Sequence, residues 1–215
     1  MRAVVVAHGD VLPADKSVFR EGDFVVAADG GAFALERWHL LPHLVVGDMD
    51  SLGQTGVERL ARQGIAVAKF PQEKDESDLE LAVTQAIAAG ATEIVLLGAL
   101  GGTRLDHEAA NLLLLADPSY DGVSIEARRG AFRVRAVRGP GSRSLDEPAG
   151  TLVTLLPVAA DAEGVRTDGL RYPLADETLA FGRSRGLSNE IVSHPASVAL
   201  QRGTLLVFVT PQGGT

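Results

Sequence analysis

Acidic residues gather where three strand-like runs of this 215-residue chain end. Leu44-Val45-Val46 reads as a short buried strand, and Gly47-Asp48-Met49-Asp50-Ser51 follows it, with Ser51 and Gly53 turning the chain away. Lys74-Asp75-Glu76-Ser77-Asp78-Leu79-Glu80 follows a second such run at residues 66–70. Gly101-Gly102-Thr103-Arg104-Leu105-Asp106 follows a third, Ile94-Val95-Leu96-Leu97. If the three runs are parallel neighbours, all three groups open at one edge of one sheet. Open α/β sheets bind ligands at that carboxyl edge.

Two carboxylates about 4 Å apart repel by roughly 4 kcal/mol at an effective dielectric near 20. A divalent cation between them removes that cost. Carboxylate oxygens are the hard ligands that Mg²⁺ prefers, with waters and substrate phosphates completing its shell. The recurrence of the pattern therefore points to a Mg²⁺-nucleotide site. The plainer reading of any one of these aspartates is a helix cap or an Asx-turn.

The elements around these groups alternate. Residues 4–7 make a strand closed by the turn His8-Gly9-Asp10, and residues 24–27 make a second. Ala28-Asp29-Gly30-Gly31 then leads into a helix near 32–40. The paired glycines allow close approach of a ligand, or they make only a tight strand-to-helix turn. A helix near 56–63 follows Asp50. Leu79, Val83 and Ile87 recur every four residues, with Ala82 and Ala86 beside them and Gly90 as the stop, so a helix follows Asp75 as well. Asp75 and Asp78 share a face of its first turn. Lys74 either pairs with these acids or holds a phosphate as a point charge. Residues 98–108 lead into an apolar helix at about 106–115. Their glycines, hydroxyl, arginine and free helix N–H groups suit an anion. The loop lacks the Gly-Lys-Ser/Thr ending of a Walker A motif. His107 could act as a base, but plain hydrogen bonding is the commoner role there.

Alternating strands and helices predict a mainly parallel sheet covered by helices. Near residues 117–123 the character changes. Short β-rich runs at 123–127, 132–137, 152–156, 164–167, 191–192, 198–201 and 205–209 are separated by Gly, Pro and Asp. They predict a small antiparallel domain, a sandwich or partly closed barrel. Within it, Ser184-Arg185-Gly186-Leu187-Ser188-Asn189-Glu190 reads as a polar loop.

The formal charge of −8 argues against a nucleic-acid partner. An acidic protein still binds ATP when a metal and local cations supply the positive field. With no cysteine, thiolate metal sites and cysteine nucleophiles are excluded. The first residues read as a strand rather than a secretory signal, and no apolar run approaches a membrane span. A cytoplasmic, non-membrane protein is the expectation.

Taken in order, Ala28-Asp29-Gly30-Gly31, Gly47-Asp48-Met49-Asp50-Ser51, Lys74-Asp75-Glu76-Ser77-Asp78, residues 98–107, Gly169-Leu170-Arg171-Tyr172-Pro173-Leu174 and Gly186-Leu187-Ser188-Asn189-Glu190 resemble thiamine pyrophosphokinase. Each block is weak alone; the ordered set spans nearly the whole chain. The resemblance implies an α/β Mg-ATP-binding catalytic domain over 1–120 and a thiamine-binding, dimerising β-sandwich over 121–215. It implies transfer of a pyrophosphoryl group from ATP to the hydroxyl of thiamine, giving thiamine diphosphate and AMP. Asp48, Asp50, Asp75 and Asp78 match the acidic catalytic centre that holds Mg²⁺. Asp29, Gly30, Lys74, Gly102, Arg104 and Asp106 match nucleotide contacts. Ser188 and Asn189 match a thiamine-side loop that meets the other subunit of a homodimer, so that the site is shared. Ser77 stands where the family usually has Thr and keeps the hydroxyl. The only tryptophan, Trp38, lies in the first half, so the thiamine-stacking Trp of some members has no counterpart in the second. Rival readings are a pyrophosphokinase for another acceptor, such as a hydroxymethylpterin, and a nucleotide-binding protein without turnover.

Overall fold

The computed structural model describes residues 1–50 and 52–212; Ser51, expected to help turn the chain, lies outside the described residues. The chain divides into two compact units. The first comprises residues 1–114 and 119–130, the second 115–118 and 131 onward.

Unit 1 contains β1 (Arg2–Val6), β2 (Phe24–Ala28), α1 (Gly31–Arg37), β3 (Leu44–Gly47), α2 (Gly53–Arg62), β4 (Ala66–Lys69), α3 (Asp78–Ala88), β5 (Glu93–Leu97), α4 (Leu105–Leu114) and β6 (Ser124–Arg129). All six strands are parallel, in the order β4-β3-β2-β1-β5-β6. The chain builds outward from β1 to β4, then returns to place β5 on the other side of β1. That reversal creates a crevice between the β1 and β5 loops, where doubly wound sheets take their ligands.

Side-chain alternation assigns the two faces. Val4, Val6, Val25, Ala27 and Val45 pack with Leu35 of α1 and Leu60 of α2 in one buried cluster. Val5, Val26 and Val46 point the other way, and α3 packs on β1, β2 and β3. The four-residue spacing seen in the sequence is the buried stripe of α3, formed by Leu79, Ala82, Val83 and Ala86. Ser77 caps that helix, its Oγ accepting from the Glu80 amide at 3.1 Å.

The run at 123–127, grouped with the antiparallel half from its sequence, is β6, and it pairs parallel with β5 from Glu93↔Ser124 to Leu97↔Arg128. The first unit therefore extends to Gly130, ten residues past the boundary expected at 120. The composition shift misleads because Pro118 and Gly122 break the chain between α4 and β6, although α4 is the crossover helix that returns β6 parallel to β5.

Unit 2 is antiparallel: β7 (Phe132–Arg138), β8 (Gly141–Ser144), β9 (Leu152–Asp168), β10 (Ala175–Leu179), β11 (Asn189–Glu190), β12 (Ser197–Leu200) and β13 (Arg202–Thr210). β9 joins the runs expected at 152–156 and 164–167 into one 17-residue strand. Its first part pairs with β11 and β13, its last part with β10 and β12. Val153, Leu155, Val165, Leu179, Ile191, Val198 and Leu205 form the buried centre of this unit.

Candidate functional site

The loops after β1 to β5 enclose a cavity of about 680 Å³ at the carboxyl edge of unit 1. Close backbone contacts fix its floor. The Ala7 amide donates to the Leu97 carbonyl (2.8 Å), and the Gly9 amide to the Gly98 carbonyl (3.0 Å). A Cβ on Gly9 would fall 2.2 Å from the Gly98 oxygen, and one on Gly98 would fall 2.4 Å from the Ala7 oxygen. Only glycine allows this crossing of loops beside the topological switch.

Asp29 and Asp48 come from the ends of β2 and β3, and Asp78 joins them from the start of α3. One carboxylate oxygen from each lies within 4.8 Å of the others. Asp29 has φ 40°, and its amide donates to the Val46 carbonyl at 2.7 Å, tying it to the neighbouring strand. Gly47 makes room: a Cβ there would come within 3.0 Å of Asp29 Cβ and 3.4 Å of Asp78 Oδ1. Met49 also has a left-handed backbone, φ 68°, just past Asp48. Left-handed non-glycine residues bordering a carboxylate cluster mark a place where local strain is accepted for geometry. Lys74 Nζ donates to Asp78 Oδ1 at 2.8 Å and is only 12% exposed, so one fixed cation offsets the three acids. Three hard oxygen donors at this spacing suit a cation such as Mg²⁺.

The other expected residues fall in different places. Asp50 is exposed; its amide donates to Asp48 Oδ1 (3.0 Å), and its own Oδ2 accepts from Gln72 (2.8 Å). Asp75 is exposed and stands outside the cavity wall. Gly102 lines the cavity, φ 96°. Arg104 also lines it and holds Asp106 in a two-pronged pair at 2.9 and 2.6 Å. Gly30 and Gly31 serve internal packing. A Cβ on Gly31 would lie 1.9 Å from the Val6 oxygen, and one on Gly30 would lie 2.4 Å from His8 Nδ1. His107 is exposed and lines the cavity.

The hydrogen bonds from Arg104 hold the Asp106 carboxyl well below the usual carboxylate range, and Asp106 raises Arg104 in turn. A depressed carboxyl adds stability above its unfolded-state pKa and loses that contribution as pH falls through the folded value. Because both groups are in solvent, this contribution to folding is small. Arg104→Gln is expected to return Asp106 to the ordinary carboxylate range, read by carbon-13 NMR titration.

Sequence reasoning missed the wall built by β1 and α4. His8, Asp10, Glu108 and Asn111 all line the cavity. Glu108 Oε1 accepts from the Gly101 amide (2.9 Å), and Asn111 Nδ2 donates to the Ala99 carbonyl (2.9 Å). Their spacing of three puts both on one face of α4, bracing the glycine loop. The available signal was that His8-Gly9-Asp10 ends a parallel strand just as the acidic groups do.

Ser188 and Asn189 lie in unit 2. Ser188 is exposed with φ 56°, and its amide donates to Thr154 Oγ1 at 3.0 Å. Asn189 is 7% exposed. Its Oδ1 accepts from the Tyr172 amide (3.0 Å) and the Glu190 amide (2.9 Å), and its Nδ2 donates to the Tyr172 carbonyl (2.7 Å). Its amide thus clamps the 169–174 segment to the 186–190 loop. Asn189→Ala leaves buried donors and an acceptor without partners. It should cost about 2–3 kcal/mol of unit 2 stability, seen as a lower denaturant midpoint.

Comparison with known proteins bears on both units. The family model for the thiamin pyrophosphokinase catalytic domain matches residues 16–127, and that for its vitamin B1 binding domain matches residues 143–205. The chain belongs to the thiamin pyrophosphokinase family. Thiamine pyrophosphokinase of Bacillus subtilis (strain 168) is 24% identical over 215 residues, covering 95% of this chain and 96% of that one. The crystal structure of the Bacillus subtilis enzyme matches with a TM-score of 0.87 at 22% identity, over 99% of this chain and 100% of that one. The structure from Geobacillus thermodenitrificans matches with a TM-score of 0.83 at 26% identity, over 100% of this chain and 99% of that one. Family membership makes the chain an enzyme that transfers pyrophosphate from ATP to thiamine, with separate catalytic and vitamin-binding domains. Among the described residues, no helix is long and apolar enough to cross a membrane.

Proposed function

We propose that the carboxyl edge of unit 1 binds Mg²⁺-ATP and catalyses attack of the thiamine hydroxyl on the β-phosphorus. The observation that supports this most is the convergence of Asp29, Asp48 and Asp78 beside Lys74 and the glycine loop. These three aspartates would hold Mg²⁺, whose chemistry when bound is to neutralise phosphate oxygens. Asp50 orients Asp48 through its amide, and Asp75 adds negative charge from outside the cavity wall. In the reaction the hydroxyl oxygen forms a bond to the β-phosphorus, and the bond from that phosphorus to the oxygen bridging the α-phosphorus breaks. The electron pair leaves with AMP, and the hydroxyl proton passes to an edge carboxylate or to water. Such chemistry is mostly positioning and charge compensation. Lys74 and Arg104 answer the charge that develops on the transferred group and on departing AMP. Gly30, Gly102 and Asp106 shape the nucleotide side.

Unit 2, folded as a β-sandwich, presents the Ser188-Asn189 loop to thiamine. We place that loop against unit 1 of a second copy, so the working enzyme is a homodimer with shared sites. ATP as co-substrate fits a cytoplasmic setting.

ATP labelled at the β-phosphorus tests the transfer. The label should appear in the thiamine ester; label retained in the nucleotide would mean that the γ-phosphorus is attacked instead. Mixing Asp48→Asn with Ser188→Tyr tests sharing. Recovered turnover, absent from either variant alone, is expected, and no recovery on subunit exchange would make each site the property of one chain.

A further inference from the structure

We propose that Arg129 is a positioning residue for the transfer reaction. Through its ion pair with Asp10 it pins the glycine loop at Gly101 and cancels a carboxylate that would otherwise face the phosphates. This inference rests on reading the carboxyl edge as the Mg²⁺-ATP site and adds a residue from β6, a strand that reading does not use.

The charge of the cavity wall poses the problem. Besides the aspartate trio, Asp10, Glu76 and Glu108 line the cavity, against Lys74 and Arg104. The trio belongs to the metal on that reading, and Glu108 is occupied by the Gly101 amide. Asp10 comes from the turn after β1, beside the glycine loop. An uncompensated carboxylate there repels a polyphosphate.

Arg129, the last residue of β6, supplies the cation. Its Nη2 donates to Asp10 Oδ2 at 3.0 Å. The guanidinium also packs on the loop. A Cβ on Gly101 would lie 3.0 Å from Arg129 Nε, 3.1 Å from its Cζ and 3.0 Å from Asp10 Oδ2. Glu108 of α4 holds the Gly101 amide, and the ion pair covers the Gly101 α-carbon, so two elements fix this residue. Arg129 Nε is buried and has no acceptor among the described residues. Leaving a buried donor unpaired is costly, so contact with the loop takes precedence here over a further hydrogen bond.

The backbone under the pair is clamped. Asp15 is fully buried; its Oδ2 accepts from the Leu12 amide at 2.7 Å and its Oδ1 from the Gly130 amide at 2.6 Å. One carboxylate therefore ties the segment just after Asp10 to the residue just after Arg129. The side chains of Arg129 and Asp10 are 40% and 49% exposed, and a pair so open to solvent adds little to folding. Its effect belongs in the kinetics instead.

The test is steady-state kinetics with ATP, Mg²⁺ and thiamine, with thermal melting alongside. It compares the wild type with Arg129→Gln, Arg129→Lys and the double variant Arg129→Gln with Asp10→Asn. Arg129→Gln should raise the KM for ATP about tenfold and lower kcat about threefold or more, with the KM for thiamine unchanged. Its Tm should stay within about 3 °C of the wild type. Arg129→Lys keeps the charge but loses the flat contact with Gly101, so its KM for ATP should stay near the wild-type value while kcat stays low. Adding Asp10→Asn to Arg129→Gln removes the uncovered charge and should recover most of the loss in KM. No recovery in the double variant overturns this inference while leaving the Mg²⁺-ATP reading intact. So do wild-type kinetics in Arg129→Gln, or a kinetic loss matched by a Tm about 10 °C lower, which would make the role structural. A wild type whose turnover needs neither ATP nor Mg²⁺ overturns the Mg²⁺-ATP reading itself.

Discussion

Asp48→Asn lowers turnover with ATP, Mg²⁺ and thiamine by about two orders of magnitude or more, without unfolding the protein. The argument comes from the charge balance of the site. Carboxylate oxygens that lie within 4.8 Å of one another repel by at least about 3 kcal/mol per pair at an effective dielectric near 20. Lys74 offsets part of this through Asp78. Asparagine at 48 removes two of the three repulsions and keeps the Oδ1 that accepts from the Asp50 amide. Without metal, the variant should therefore unfold at the same temperature as the wild type or a few degrees higher. Saturating Mg²⁺ separates the two proteins again. At a hundred times its dissociation constant a ligand stabilises by about 2.7 kcal/mol. The wild type should gain roughly 5–10 °C from that, and the variant much less. Near-normal turnover in Asp48→Asn would remove this residue from the mechanism.

Gly98→Ala should be the most damaging small substitution at the switch point. Its φ of 68° is strained for alanine, and the new methyl carbon would sit 2.4 Å from the Ala7 carbonyl oxygen. Both obstacles are backbone, so no flexible side chain can yield. Left-handed strain of about 1–2 kcal/mol and a backbone shift of about 1–3 kcal/mol together predict a loss near 3 kcal/mol. Unit 1 should melt about 10 °C lower by calorimetry. Turnover should fall as well, because Ala7, Gly9 and Gly98 line the cavity. Gly90→Ala is the control: its φ is 96°, but nothing lies within 4 Å of the added carbon, so it should lose only about 1 kcal/mol. Equal losses in the two variants would mean that the close approach of the β1 and β5 loops is not needed.

The sequence carried the parallel half well because each strand there is a short apolar run ending in a polar turn. Such runs reveal the strand ends, and the strand ends are where the site lies. It carried the membership of the trio less well. Asp48 and Asp78 stand in conspicuous acidic blocks, but Asp29 is a single acid before two glycines, and its approach depends on a left-handed backbone and on the missing side chain of Gly47. Asp75 and Asp78 could share a helical face only if both were helical, and α3 begins at Asp78. In unit 2, β9 was split in two because its middle carries Ala159, Ala160 and Asp161, which are exposed and interrupt the apolar alternation. Strand β10 was invisible for a similar reason: Ala175-Asp176-Glu177-Thr178-Leu179 buries only Leu179. The role of Asn189 as a clamp depends on Tyr172, 17 residues away, and no local pattern encodes that contact.

The most direct test of the carboxylate trio is Mn²⁺ binding, followed by electron paramagnetic resonance in the presence of α,β-methylene-ATP. Mn²⁺ takes the same oxygen ligands as Mg²⁺, and the analogue cannot be cleaved at the bond the reaction breaks. The measurement compares the wild type with Asp29→Asn, Asp48→Asn and Asp78→Asn. If these three residues hold the metal-nucleotide complex, each substitution weakens Mn²⁺ binding about tenfold or more. Unchanged affinity in all three variants would contradict the assignment and move the metal away from the ends of β2 and β3 and the start of α3.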